Sequence, residues 1–306
     1  MKRLAGVFLV GLLWGCGSSD DGSKDPGDGA IDVRVPIPAE DPNYIDLVAP
    51  EVVIQSGEDL MFCSYLENTG DAFAIDLMES NQGKYGHHMV LLTTVDPKPV
   101  GTTESCTDAT EMWKFRSFVL PDTELPPGHG IRVPAGMQYV LQFHYVNTND
   151  KPIRVRDVAR LRKIPVESVS TWTATLTTNS IDFEVPPKQE SSTSFDCSVP
   201  KDVNLLLVGG HMHELGKKIT IEVGPTANEL ENLYLVDPWE PTFRDAPPIT
   251  MLFDSPRVLK AGSVVRTTCT WDNPNAHDMS FPHEMCAGFG YIAGTEEPFH
   301  CDPSSK

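Results

Sequence analysis

The chain reads as all-β and sandwich-like, and three observations predict it. Short runs rich in Val, Ile, Thr and aromatic residues recur along its length, separated by Gly, Pro, Asn or Asp. Its 26 prolines suit such turns and would break long helices. No amphipathic helix longer than two turns is visible, so sheets must bury the apolar residues.

Strand-like runs fall at residues 89–95, 139–146, 170–177, 205–208, 218–223 and 263–271. Residues 71–81 read as a short helix or an irregular loop. No repeat of fixed period is visible. From residue 30 onward the chain is long enough for two domains of ordinary size. The strand-like VARLRK run ends near Ile164 and Pro165, where a second strand series begins, so the predicted division is residues 31–164 and 165–306.

The chain opens MKRLAGVFLVGLLWGCG, with a basic start at Lys2 and Arg3, an apolar run from Leu4 to Trp14, and a small residue before Cys16. That run is too short to span a bilayer as a permanent helix and reads as an export signal over residues 1–16. Leu13, Trp14, Gly15 and Cys16 resemble a bacterial lipobox, which implies lipid on Cys16 and an envelope-anchored or secreted protein. Gly17 replaces the aspartate that often retains bacterial lipoproteins at the inner membrane, which implies the outer membrane. Residues 17–30 are rich in Gly, Ser and Asp and form a flexible tether.

The formal charge is −19, and loss of Lys2 and Arg3 with the signal makes it two units more negative. No basic cluster compensates, so nucleic acid is excluded as a partner. Setting Cys16 aside leaves six of the seven cysteines, an even number in an exported chain, and three disulfides are expected.

The nine histidines carry the functional signal. In LLLVGGHMHELG, His211 and His213 follow an apolar strand two residues apart, so extended backbone projects both imidazoles from one face and Met212 from the other. In YGHHMVLL, adjacent His87 and His88 would face opposite ways in a regular strand. Joint coordination there needs an irregular backbone, which Gly86 permits. His144, in LQFHYVN, is a third ligand or a hydrogen-bonded core histidine. Met285, in PHEMCAG, is core filler or a soft thioether ligand that favours Cu(I), and His283 could share its face. His129, His277 and His300 have no comparable setting.

The order GHHM, QFHY, GHMHELGKK and HEMC resembles the copper type II, ascorbate-dependent monooxygenases, the family of peptidylglycine α-hydroxylating monooxygenase and dopamine β-monooxygenase. The match covers about residues 30–301. It implies two consecutive antiparallel β-sandwich, jelly-roll-like domains, each holding one copper, that face each other across a solvent-filled cleft. By motif position His87, His88 and His144 would hold an electron-transfer copper, with Gln142 nearby. His211, His213 and Met285 would hold the copper that binds O₂ and substrate, and are the expected catalytic set. The resemblance pairs Cys63 with Cys106, Cys197 with Cys301, and Cys269 with Cys286. The implied reaction inserts one oxygen atom of O₂ into a substrate C–H bond and reduces the other to water, with two electrons from ascorbate or another small reductant.

Departures from the family pattern bear on the substrate. Gly209 stands where peptide-amidating members carry an arginine, Phe289 where an aromatic hydroxyl is expected, and Ala287 where an asparagine is expected. A C-terminal glycine peptide is therefore not the expected substrate, and the acidic chain favours neutral or cationic molecules over carboxylates. Two other readings use the same residues. One is an envelope lipoprotein that stores or delivers copper without catalysis. The other is a zinc hydrolase with Glu214 or Glu284 as general base, which the thioether of Met285 opposes.

Overall fold

The computed structural model describes residues 29–67, 70–106, 115–119, 122–281, 283–301 and 303. The segment read as an export signal, Cys16 with its expected lipid, and residues 17–28 of the expected tether lie outside them. The fold is all-β, two antiparallel β-sandwiches in succession, and among the described residues no helix is long and apolar enough to cross a membrane.

Alternation within one central strand organises the first sandwich. Gln138–Val146 lies antiparallel to both Asp59–Glu67 and Gly86–Thr94 in a five-stranded sheet. Its residues Tyr139, Leu141, Phe143 and Tyr145 enter the core beside Met89 and Leu91, against Ile75, Met78 and Leu161 of the facing sheet. Val140 points the opposite way, into a smaller cluster with Cys63, Tyr65, Leu92, Cys106 and Phe115. Gln142 and His144 share that outer side by the two-residue period of the strand. Each such fully buried apolar side chain contributes roughly 1.5–3 kcal/mol.

The second sandwich packs a four-stranded sheet, built around Gly216–Gly224 and Val264–Asn273, against Thr171–Ser180, Val203–His211 and Cys286–Ala293. Leu176, Leu205, Val208, Ile219, Ile221, Val223, Val265 and Trp271 fill the space between. The two sandwiches share a ten-stranded sheet, joined where Thr171 and Trp172 pair in parallel with His129 and Gly130. Beside that join, the Arg132 guanidinium stacks over the Trp172 ring at 4.2 Å and bonds Glu296 at 2.7 Å. The strand Val158–Ile164 ends at the predicted division, and a short 3-10 turn, Val166–Ser168, leads into Thr171–Ser180.

The strands run longer than their sequence signals. The run at 205–208 extends over Val203–His211, which makes His211 the last residue of its strand. The reading of residues 71–81 as helix or loop is corrected: Phe73–Asn81 is a strand paired with Val158–Ile164 and His129–Val133. Its acidic residues obscured the pattern, and each has a partner. Asp76 receives two bonds from Arg162, and Glu79 accepts from the Tyr44 hydroxyl.

All three disulfides are present, Cys63–Cys106, Cys197–Cys301 and Cys269–Cys286. The last joins the strand that begins just after Met285 to the Val264–Asn273 strand of the facing sheet across a separation of 17 residues. Replacing Cys269 and Cys286 together by Ala should cost about 3 kcal/mol of stability, from the entropy of the loop they close. Urea unfolding of the double variant beside the wild type measures it, and an unchanged midpoint would contradict the assignment.

Candidate metal centre

The GHHM segment is irregular where the two histidines require it. Along the ladder between Gln138–Val146 and Gly86–Thr94, His144 pairs with His88 but Tyr145 pairs with Gly86, so His87 is the extra residue of a bulge. The bulge lets adjacent imidazoles share one side. The His144 ring lies 5.2 Å from both the His87 and the His88 rings, centroid to centroid. Gly86 is needed because a Cβ there would fall 2.2 Å from the Gln82 side chain. The Gln82 amide donates to the carbonyls of His88 at 3.1 Å and His144 at 3.2 Å, which pins both strands at the bulge.

His144 is a buried, hydrogen-bonded histidine that faces away from the main core of its sandwich. It sits on the outer side of its strand, 6% exposed, with its Nε2 at 2.5 Å from Asp59 Oδ1. That hydrogen bond holds the Asp59 carboxyl below the usual carboxylate range. Gln142, one alternation earlier, is buried with its amide 3.7 Å from Cys106 Sγ.

At the second set, the His211 and His213 rings lie 5.1 Å apart, and Met212 points into the core with no exposed surface. His213 is held from several directions. Its Nδ1 donates to the His283 carbonyl at 3.0 Å, its N–H to Glu284 at 3.2 Å, and its carbonyl accepts from Trp239 Nε1 at 3.0 Å. His211 pairs with Ala287, the last pair of that ladder, and Met285 lies two residues before Ala287, just outside its strand. His283 contributes its carbonyl here, and its side chain is exposed.

Glu284 ties this set together. Its carboxylate is 1% exposed and accepts from the N–H groups of His213 and Leu215 and from Trp271 Nε1, the last two at 2.7 and 3.0 Å. Burial pushes its carboxyl up to about 7 against the opposing pull of these donors. With its oxygens engaged by three donors, it is a structural clamp rather than the free base that a hydrolase would need.

The two sets adjoin rather than facing across an open gap, with the His88 and His211 rings 6.2 Å apart. Between them reaches Arg244, its side chain 11% exposed, bonded to Glu214 and Asp245 and lying 2.9 Å from His87 Nε2. Arg244 also donates to His87 Nδ1, the same nitrogen that lies 2.5 Å from Asp245 Oδ1. Among the described residues, no three His, Cys, Asp or Glu side chains converge on one point as a closed ligand set. His87 would have to leave Arg244 and Asp245 to join His88 and His144.

The imidazoles themselves fit a metal. His88 Nδ1, His144 Nδ1 and His213 Nε2 are buried without a hydrogen-bond partner, as is His129 Nδ1 on a separate strand. An unpartnered buried nitrogen costs about 1–3 kcal/mol, and a coordinated metal ion would use its lone pair. For His213 the carbonyl of His283 fixes the tautomer that leaves Nε2 free to coordinate. Burial, reinforced by neighbouring imidazoles, lowers His88 well below the ordinary range, and burial with His213 and Arg244 nearby brings His211 to about 3.

Asp59, Gln82, Arg244 and Asp245 were not singled out in the sequence. Asp59, Arg244 and Asp245 meet histidines far along the chain, Gln82 joins one carbonyl six residues away to another 62 away, and no local motif marks them. No protein-family model matches the chain, and no curated protein does. Among solved structures it is similar to the major capsid protein P2 from bacteriophage PM2, at TM-score 0.30 and 8% identity over 82% of this chain and 100% of that one. A structure of infectious bursal disease virus Gx strain matches at 0.23 and 8% over 82% and 70%. PBCV-1 VP54, fitted into the virophage Sputnik, matches at 0.20 and 6% over 85% and 95%. At these TM-scores the likeness carries no functional argument.

Two outcomes follow from the clamp and the buried rings. Glu284→Gln should leave at least one N–H facing an amide NH₂ and cost about 1–3 kcal/mol. Urea unfolding read by Trp271 fluorescence checks it, with an unchanged midpoint as the contrary result. Burial brings His211 down to about 3 from the 6.5 of a free imidazole, so between those values the unfolded chain holds a proton that the folded chain does not. Metal-free protein should therefore lose stability as pH falls through that window, and His211→Asn should flatten the loss. Thermal melts of both proteins between pH 7 and pH 4 test this; parallel curves would refute it.

Proposed function

We propose that this chain is an exported, lipid-anchored copper monooxygenase that hydroxylates a substrate C–H bond with O₂ and a small reductant such as ascorbate. The single observation that carries the reading is His213. Its Nδ1 proton is held by the His283 carbonyl while Nε2 stays buried and unpartnered, on the turn that follows the strand ending at His211. A histidine kept in one tautomer with its lone pair dry and idle is a prepared ligand. The motif order of the sequence supports the same reading.

In this proposal His211, His213 and Met285 hold the copper at which O₂ and substrate react, and His87, His88 and His144 hold the copper that stores an electron. Copper, when bound, supplies one-electron chemistry toward O₂ and a preference for thioether in its reduced form. The chain does the remainder. Asp59 orients His144, Gln82 fixes the bulge that aligns His87 with His88, and Glu284 locks the His213 turn to Trp271 beside the Met285 segment. The adjoining His88 and His211 rings shorten the path between the two sets.

Copper content and oxygen uptake, measured together, separate catalysis from storage. Wild-type protein should hold two coppers per chain and consume O₂ with ascorbate and substrate. Met285→Leu should fold with a cost below about 1.5 kcal/mol, and Met285→His should retain copper but shift that site toward Cu(II). Both should lose far more oxygen uptake than copper. Two coppers with no substrate-dependent oxygen uptake would instead favour an envelope copper store, and one copper per wild-type chain would contradict the assignment.

A further inference from the structure

The turn that delivers the first histidine pair is strained. Residues 82–86 join the strand Phe73–Asn81 to Gly86–Thr94, whose second and third residues are His87 and His88. Tyr85 lies in the left-handed region at φ 76°, which a tyrosine adopts only when its surroundings impose it. Within the turn, the Gly86 N–H donates to the Gly83 carbonyl at 3.0 Å, and from outside the Val146 N–H reaches the Tyr85 carbonyl at 3.4 Å. The Gln82 amide meets the carbonyls of His88 and His144 only while the turn keeps this shape.

A buried carboxylate holds the turn from the core side. Asp157 is 1% exposed, and its Oδ1 accepts from the Tyr145 hydroxyl at 2.5 Å and from the Gly83 N–H at 3.2 Å. The same N–H lies 2.9 Å from the Tyr145 oxygen, so the three groups close a triangle. Tyr145 follows His144, pairs with Gly86 across the ladder and points into the core, which sets the triangle under the bulge. Its support is fixed: Ala49 donates to the Asp157 carbonyl at 2.9 Å, and Val33 and Val35 to the Arg154 and Arg156 carbonyls at 3.0 and 2.9 Å. A Cβ at Gly83 would fall 2.3 Å from the Val33 carbonyl oxygen, so the turn is wedged between that segment and Tyr145. Burial pushes the Asp157 carboxyl up to about 6 against the pull of its donors, and its Oδ2 makes no hydrogen bond. A buried ion of this kind costs stability that a neutral side chain would not.

We propose that Asp157 is a positioning residue for the first histidine set: through Gly83 and Tyr145 it holds the strained turn that presents His87 and His88 to His144. The inference rests on the proposed function for what the set binds, and adds the residue that shapes it. While Asp157 keeps both donors, the turn cannot relax without leaving a buried carboxylate unpaired. Tyr85 then keeps its left-handed backbone, Gln82 keeps both carbonyls, and His87 stays the extra residue of the bulge. Without Asp157, Gly83 loses an acceptor, and relief of the strain at Tyr85 favours a turn in which the imidazoles diverge.

Two measurements on the full-length protein test this. One is amide hydrogen exchange without metal; the other is Cu(II) titration with EPR, in a His211→Asn background that leaves only the first set complete. Asp157→Ala and Tyr145→Phe should each speed exchange at Gly83 and Gly86 about tenfold, weaken copper at the first set about tenfold, and change its EPR spectrum. Asp157→Asn, which keeps an oxygen acceptor, should return both readouts toward wild type. Ile75→Ala, in the same core but about 20 Å along its strand from residue 81, should lower the melting temperature and leave both readouts unchanged. Tyr145→Phe deletes one hydroxyl and serves alone should Asp157→Ala not fold. Unchanged exchange, faster exchange with unchanged copper affinity, or an equal effect from Ile75→Ala would overturn the proposal, as would a loss in Asp157→Asn as deep as in Asp157→Ala. Wild-type protein that binds no copper at the first set would defeat the proposed function, and exchange at Gly83 would then decide the role of Asp157 by itself.

Discussion

Strand register is the constraint on which the rest of this structure depends. A slip of one residue in either ladder carrying the histidines would turn every side chain to the other face. Leu141 and Phe143 would then leave the core, and His144 would enter it. The buried apolar side chains thus hold the imidazoles in place without touching them, because the cost of exposing the core forbids the alternative registers. The same holds at Val203–His211, where Gly210 faces the interior of the second sandwich and His211 the opposite side, toward His88.

Register alone cannot bring His87 and His88 to one side, and the remedy is local. One extra residue breaks the ladder, and the freed polar groups are recovered by the Gln82 amide. At the second set the chain leaves its strand after His211, and the buried Glu284 carboxylate collects the N–H groups of the turn that follows. In both places irregular backbone is tolerated because one polar side chain satisfies it. A buried group that lost that partner would cost about as much as a typical destabilising mutation.

The sequence carried these features unequally. Apolar alternation marked the strands that bear His88, His144 and His211, and Gly86 announced the irregular backbone beside the paired histidines. The cysteine pairs that the family resemblance implied are those the fold joins. Phe73–Asn81 was obscured because Asp76 and Glu79 find partners at Arg162 and Tyr44, which local pattern cannot show. Arg244 and Asp245 lie in a proline-rich segment with no motif, yet they reach His87 from 157 and 158 residues away. Glu284 was visible as an acid near the ligands, but its role as acceptor for Trp271 and two backbone amides depends on tertiary contact.

The strand Ile249–Met251 ends the ten-stranded sheet and is only three residues long. An apolar sheet margin of this kind invites a second chain to add itself as another strand. Pro247 and Pro248 precede it and Pro256 follows, and a proline has no N–H to offer an incoming backbone. So short and interrupted a margin offers an incoming strand little backbone to pair with, although its side chains are greasy.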